Sequence, residues 1–364
     1  MSGIYIHIPF CASRCIYCGF YSTEKMELRQ QYVDAVCREI SIRPTADTIS
    51  TIYLGGGTPS QLSAQQLRQL FDTIYNIYKV ADDAEVTIET NPDDVTADYA
   101  EALSALPINR VSMGVQTFSN ERLRFLHRRH TSQQVQQAVK CLREAGFHNI
   151  SIDLMYGFPG ETLDDWQYDI DAAIALGAEH VSAYCLSIEE GTPLHRMNIE
   201  AADEETERTM YYTLIDRLAA ADYEHYEISN FARHGYRSRH NSSYWTDVPY
   251  IGLGAAAHSY DGKYRQWNID DILKYINSIS TRQPAFEKEF IDDITHYNDR
   301  VMLALRTVEG IDLNTLPTHD RAYLLETSTK YVAQGLLTGE NGRLKLSREG
   351  SFVSDMVISD LMRI

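Results

Sequence analysis

The chain has 364 residues, 44% of them hydrophobic, and its 33 Lys and Arg face 51 Asp and Glu, for a formal net charge of −18. That charge opposes binding to phosphate backbones and argues against nucleic acid as a partner. The apolar fraction is ample for a buried core, and the length suggests one large domain plus a smaller one. The N-terminus lacks the basic-then-apolar run of a signal peptide, and no stretch of about 18 apolar residues could span a bilayer. The chain reads as cytoplasmic.

A short apolar strand opens at Ile4 and runs into a tight loop presenting Cys11, Cys15 and Cys18, the spacing CxxxCxxC. Thiolate sulfur is soft and selects zinc, copper(I) or an iron–sulfur cluster. A 4Fe–4S cubane usually takes four cysteines. With three, one iron keeps an open coordination site, and an open site implies chemistry, as it does for catalytic zinc. The competing reading is a structural zinc loop with His7 as fourth ligand, although zinc loops more often use paired CxxC spacings. Cys37, Cys141 and Cys185 fall within apolar patterns, where free cysteine behaves as a small hydrophobe.

Met26 to Arg43 carries helical spacing. Ser50 to Leu54 is a short strand ending in Gly55-Gly56-Gly57-Thr58-Pro59, and Ser63 caps a helix to Tyr78. Strands follow at Glu85 to Thr90, Arg110 to Gln116, Asn149 to Met155 and His180 to Leu186. They alternate with helices at Thr96 to Leu106, Ser132 to Ala145, Thr162 to Leu176 and Asp203 to Ala221. About six strand–helix units in succession imply an α/β fold with a parallel sheet and right-handed crossovers. With no dinucleotide fingerprint after the first strand, a partial TIM-like barrel is preferred over a doubly wound sheet. Its active-site groups would sit at the C-terminal ends of the strands. The Cys loop, the triple glycine, Glu89, Gln116 and Asp153 all fall there.

From Tyr223 the pattern breaks into aromatic, polar and glycine-rich segments, and from about Pro284 it becomes helical again. Leu336 to Leu346 reads as a hairpin followed by a last helix. The expected organisation is a partial barrel over 1–222, an aromatic and glycine-rich extension completing the core over 223–284, and a C-terminal winged-helix-like domain over 285–364.

CxxxCxxC with Tyr17 just before the last cysteine resembles the signature of radical S-adenosylmethionine (SAM) enzymes. Tyr5-Ile-His-Ile-Pro-Phe-Cys11 looks more narrowly like the oxygen-independent coproporphyrinogen III oxidase group. The resemblance implies a 4Fe–4S cluster on Cys11, Cys15 and Cys18 whose open iron chelates SAM. Electron transfer from the reduced cluster then gives methionine and a 5′-deoxyadenosyl radical. It also implies an electron donor such as a flavodoxin or ferredoxin. Tyr5, Tyr17, Gly56, Gly57 and Thr58 would line the SAM site around its methionyl end, and Glu89 would accept from the ribose hydroxyls. Gln116, Arg128 and Asp153 match positions that face a second SAM in the oxidases.

Three features depart from the oxidases. Phe20 stands where they carry a further cysteine, the cysteines begin ten residues after Met1 without the oxidases' N-terminal extension, and His240-Asn-Ser-Ser-Tyr-Trp245 is similar to the HNxxYW motif of the HemW heme-chaperone branch. That branch implies heme as bound cargo and heme-receiving proteins as partners, the respiratory chain at the membrane surface among them. Imidazole is a common axial ligand to heme iron, Tyr244 and Trp245 offer flat apolar area, and arginine pairs well with propionates. The expected heme residues are therefore His240, Arg237, Arg239, Tyr244 and Trp245; His258 is a second candidate, for which the lining of the SAM pocket is the preferred place. The rivals are the oxidase itself and a radical SAM enzyme that methylates and opens heme.

Overall fold

A computed structural model describes residues 2–363. Six strands alternate with period two: β1 (Ser2–Ile8), β2 (Ile49–Gly56), β3 (Val80–Thr90), β4 (Arg110–Gln116), β5 (Ile150–Tyr156) and β6 (His180–Cys185). They pair in chain order, every pair parallel. One row of each strand is apolar and joins the main core: Ile4, Ile6 and Ile8, then Ile52 and Leu54, Val86 and Ile88, Val111 and Met113, Ile152 and Leu154, Val181 and Ala183. Parallel strands buried by helices on both faces read as continuous apolar runs. Here the opposite row is polar, with Tyr5, Tyr53, Glu85, Glu89, Arg110, Ser112, Asp153, His180 and Ser182, because it lines a lumen.

The apolar row is covered by α1 (Arg29–Ile42), α2 (Ala64–Ile77), α3 (Ala97–Ser104), α5 (Ser132–Glu144), α6 (Leu163–Leu176) and α8 (Glu204–Ala220), while the short helices α4 (Asn120–Phe125) and α7 (Pro193–Arg196) give Phe125 and Leu194 to a smaller apolar cluster. Sequence signals mark the ends of three of these helices. Ser63 with Gln66, Thr131 with Gln134, and Thr162 with Asp165 form capping boxes at α2, α5 and α6, each cap contributing about 1 kcal/mol. Gly177 ends α6 at φ 72°, in the left-handed region glycine adopts freely.

The six parallel strands stop short of a closed eight-stranded barrel, and further strands extend both edges. β8 (Asn230–Ala232) pairs antiparallel with β6, and β7 (Glu224–Glu227) pairs antiparallel with β8 as the outer strand. Beyond α9 (Arg239–Tyr244), β9 (Tyr250–Leu253) returns to pair in parallel with β1, then β10 (His258–Tyr260) and β11 (Tyr264–Asn268) follow it. After α10 (Ile272–Ser280), β12 (Phe286–Phe290) forms the outer edge. The sheet order is β12-β11-β10-β9-β1-β2-β3-β4-β5-β6-β8-β7.

A second core gathers residues from Tyr297 to Leu361. It belongs to α11 (Asp293–Leu305), β13 (Ile311–Asp312), α12 (Thr318–Ala333), the hairpin β14 (Leu337–Glu340) and β15 (Arg343–Leu346), and, beyond α13 (Arg348–Phe352), whose Phe352 packs on the main core, α14 (Ser354–Leu361). The three strands form a small antiparallel sheet in the order β13-β15-β14. No helix among the described residues is long and apolar enough to cross a membrane.

Candidate functional site

The cysteine loop leaves β1 and is closed at its neck. Cys11 N–H donates to Thr23 O (3.0 Å) and Thr23 N–H to Pro9 O (2.7 Å). Ile16 anchors its far side, buried with Leu126, Met155, Phe158, Leu186 and Leu194. The Ile16 amide donates to Leu126 O (3.3 Å) and its carbonyl accepts from Leu194 N (2.9 Å). This fixes the loop while leaving Cys11, Cys15 and Cys18 partly exposed. Burial, and then the neighbouring sulfurs, push the Cys11 and Cys18 thiols up.

Arg128 supplies the opposing charge, donating from Nη1 to Cys15 Sγ at 3.5 Å. No three metal-binding side chains among the described residues gather closely enough for a single ion, a spacing that a cubane with thiolates on separate irons does not require. His7 is not a spare zinc ligand. Its Nδ1 meets Tyr5 OH at 3.0 Å and its Nε2 meets Tyr21 O at 2.9 Å. The three-thiol loop with a cation beside it fits an iron–sulfur cluster.

Beside the loop lies the glycine turn after β2. A Cβ on Gly55 would come within 2.9 Å of Glu89 Oε1, one on Gly56 within 2.5 Å of the His7 ring, and one on Gly57 within 2.7 Å of the Pro9 carbonyl carbon. Only glycine leaves this backbone open to a ligand. Thr58 Oγ1 lies 3.5 Å from Cys11 Sγ, tying the turn to the loop. Glu89 accepts from Tyr53 OH (2.8 Å) and from the Gly56 amide (3.1 Å). This cradle, with a carboxylate on its wall, fits a ligand that carries hydroxyls.

Burial pushes the Glu89 carboxyl from its ordinary 4.5 up to about 7. With the folded value above the unfolded one, the stability tied to this group is complete below 4.5 and is lost as pH rises through about 7. In SAM-free protein, Glu89→Gln is therefore expected to raise Tm more at about pH 8 than at about pH 5. Thermal melts at the two pH values check this, and an equal shift at both would show an ordinary carboxylate.

Gln116, Arg128 and Asp153 complete the wall. At the end of β4 the register with β5 slips between Gly114 and Gln116, and Gln116 takes φ 68°. Such a bulge re-aims a side chain. Arg128 Nη2 donates to Asn91 Oδ1 (2.7 Å) and Gly114 O (2.5 Å), while its buried Nε has no partner. Asp153 is raised to about 6, again by burial first. Tyr17 packs half-buried against the small apolar cluster.

Sequence reasoning passed over Tyr53 and Asn91. Tyr53 was legible in the alternation Thr51, Tyr53, Gly55 along one side of β2. Asn91, which bonds both Arg128 and Thr58, carried no local signal beyond its place after a strand. Beneath the site, Arg110 is 1% exposed, and its Nε and Nη1 find no partner in the lumen floor.

The HNxxYW segment lies elsewhere. Ser238 caps α9, and the amides of Arg239 and His240 donate to the Glu85 carboxylate, each at 2.9 Å. His240 plugs the lumen at the N-terminal half of β2 and β3. It is 1% exposed, its Nδ1 meets Thr51 Oγ1 (2.8 Å) and its Nε2 meets Tyr244 OH (2.9 Å). Its ring stacks on Tyr53, and burial lowers its pKa to about 3.

Both His240 nitrogens are engaged and the ring is walled in, so to coordinate iron itself His240 would have to leave Thr51 or Tyr244. Tyr244 is likewise turned inward, against Tyr250. Arg239 reaches out to Asp83. Arg237 bonds Glu224 and Glu309 and, with Trp245, lines a cleft of about 690 Å³ against Arg300, Leu303, Ile311 and Arg343 of the C-terminal core.

The comparisons agree with this geometry. Residues 5–173 match the Radical SAM superfamily, and residues 291–353 match the HemN C-terminal domain. The fold is shared with coproporphyrinogen III oxidase HemN of Escherichia coli, at TM-score 0.87 and 22% identity over 99% of this chain and 89% of that one. A three-cysteine loop at the mouth of six parallel βα units is thus a radical SAM core, a class that implies a 4Fe–4S cluster and SAM.

The chain is 36% identical over 323 residues to the heme chaperone HemW of Bacillus subtilis, covering 85% of each. It is 34% identical over 373 residues to that of Mycobacterium tuberculosis, covering 99% of this chain and 94% of the relative. The chain belongs to the HemW heme-chaperone family.

Proposed function

We propose that this protein binds heme and delivers it to heme-requiring proteins. The observation that carries the reading is its similarity, over nearly its whole length, to proteins described as heme chaperones. Likeness to the oxidase is one of fold, and Phe20, 70% exposed, occupies the position of the oxidases' extra cysteine. Respiratory proteins at the membrane surface are the acceptor class, and a flavodoxin or ferredoxin is the electron source.

Cys11, Cys15 and Cys18 would hold the cluster, and Arg128 would balance its charge. Gly56, Gly57 and Thr58 would receive the methionyl end of SAM, Glu89 its ribose, and Tyr5, Tyr17, Gln116 and Asp153 would close the wall. When bound, the pair supplies reductive cleavage of a sulfonium. The side chains themselves orient the ligand, hold the Glu89 proton and exclude water. Arg237, Arg239 and Trp245 lie outside the lumen, where heme propionates would compete with Glu224, Glu309 and Asp83 for the two arginines.

The test is anaerobic reconstitution followed by hemin titration and mixing with an apo heme protein. Stable binding of about one heme per chain, passage to the acceptor, and no decarboxylation of coproporphyrinogen III are expected. Protoporphyrinogen IX formed over multiple turnovers would replace this reading with the oxidase.

A further inference from the structure

A chaperone must hold heme iron and also release it, which favours an accessible ligand over a buried one. Of the 12 histidines in the chain, several are committed. His7, His180 and His240 have both nitrogens bonded, and His234, His296 and His319 face carboxylates. His130 and His225 are tied to backbone carbonyls. Among the described residues, the rings of His127, His148, His195 and His258 make no hydrogen bond.

Only His258 of these four also packs on an aromatic side chain. It pairs with Trp267 across β10 and β11, and the two rings stack with centroids 5.9 Å apart at 25°. His258 is exposed. It is also close enough to His7, whose ring bonds the cysteine loop, to depress that residue's pKa.

We infer that His258 is the axial ligand to heme iron, positioned by the Trp267 indole on the sheet extension beside the cluster mouth. The inference rests on the heme-chaperone reading. An axial imidazole stands roughly perpendicular to the macrocycle. An indole nearly parallel to that imidazole therefore cannot lie under the heme; it holds the ring edge-out, with a nitrogen toward the iron. Trp267 is a positioning residue in this arrangement. Burial and the Arg265 charge also lower the pKa of His258, which keeps the ring neutral and able to coordinate. One exposed imidazole gives an exchangeable bond, whereas His240 would have to leave Thr51 and Tyr244 to reach a metal.

The experiment is hemin titration of the full-length protein, followed at the Soret band, for native, His258→Ala, Trp267→Ala, Trp267→Phe and His240→Ala chains. His258→Ala is expected to weaken binding at least about tenfold and shift the Soret band, and added imidazole is expected to restore the native spectrum. Trp267→Ala should weaken binding with the same spectrum, and Trp267→Phe should recover most of it. His240→Ala should lower Tm and keep the native Soret position.

An unchanged affinity and spectrum in His258→Ala overturns the assignment, as does a shift in His240→Ala that imidazole reverses. Failure of the native chain to bind hemin overturns the chaperone reading and this inference with it. Circular dichroism and a thermal melt of each variant report whether it has folded.

Discussion

Cys15→Ser is expected to drop reconstituted iron from about four atoms per chain to background and to erase the EPR signal of the reduced protein. The loop offers three sulfurs, so losing one leaves two ligands for a cluster that already lacks a fourth. A serine hydroxyl is harder than a thiol and does not ionise near neutral pH, so it is a poor substitute at iron. Cys15 is also the sulfur that Arg128 approaches, and its loss removes the partner of Nη1 while Nη2 keeps Asn91 and Gly114 O. The fold should survive, since the loop is tied down by its Thr23 neck and by Ile16 rather than by the thiols. Cys37→Ser is the control: that thiol lies on α1, 3.8 Å from Gln69 O and away from the loop. Full iron and a SAM-responsive EPR signal in Cys15→Ser would place the cluster elsewhere.

Much of the core was legible because its signals are local. Ser63, Thr131 and Thr162 announce helix starts through their own side chains, and glycines 146 and 177 take the positive φ that ends them. The six strands show their period because one row faces helices and the other a polar lumen. The extension was legible as a segment, but its strands were not. β9 pairs with β1 across some 245 residues of chain, and strands of three to five residues rich in glycine and polar groups carry little period. His240 shows a different limit. Histidine followed four positions later by tyrosine suits a ligand site, and it equally suits a buried hydrogen-bonded pair. Only the placement of Thr51 and Glu85 beneath it decides between the two. The slip that turns Gln116 into the site is likewise a property of two strands in register, not of either sequence.

Gly56→Ala tests whether the glycine turn holds SAM. At φ 110° the backbone of Gly56 is one that side chains rarely adopt, at a cost on the order of 1–3 kcal/mol. The added methyl would also lie 2.5 Å from the His7 ring. That ring cannot move freely, because Tyr5 and the Tyr21 carbonyl hold its two nitrogens. The strain therefore passes to the turn, and the Gly56 amide loses its aim at Glu89. The cluster should still assemble, since no cysteine contacts Gly56, but the SAM-induced change in its EPR spectrum should need at least about tenfold more SAM, a loss of about 1.4 kcal/mol. Gly262→Ala separates strain from contact. Gly262 has a comparable φ of 90° with nothing within 4 Å of its would-be Cβ, so that variant should be destabilised yet respond to SAM as the native chain does. If Gly56→Ala and Gly262→Ala respond to SAM alike, the triple glycine is only a turn, and the methionyl end of SAM must be held by other groups of the wall.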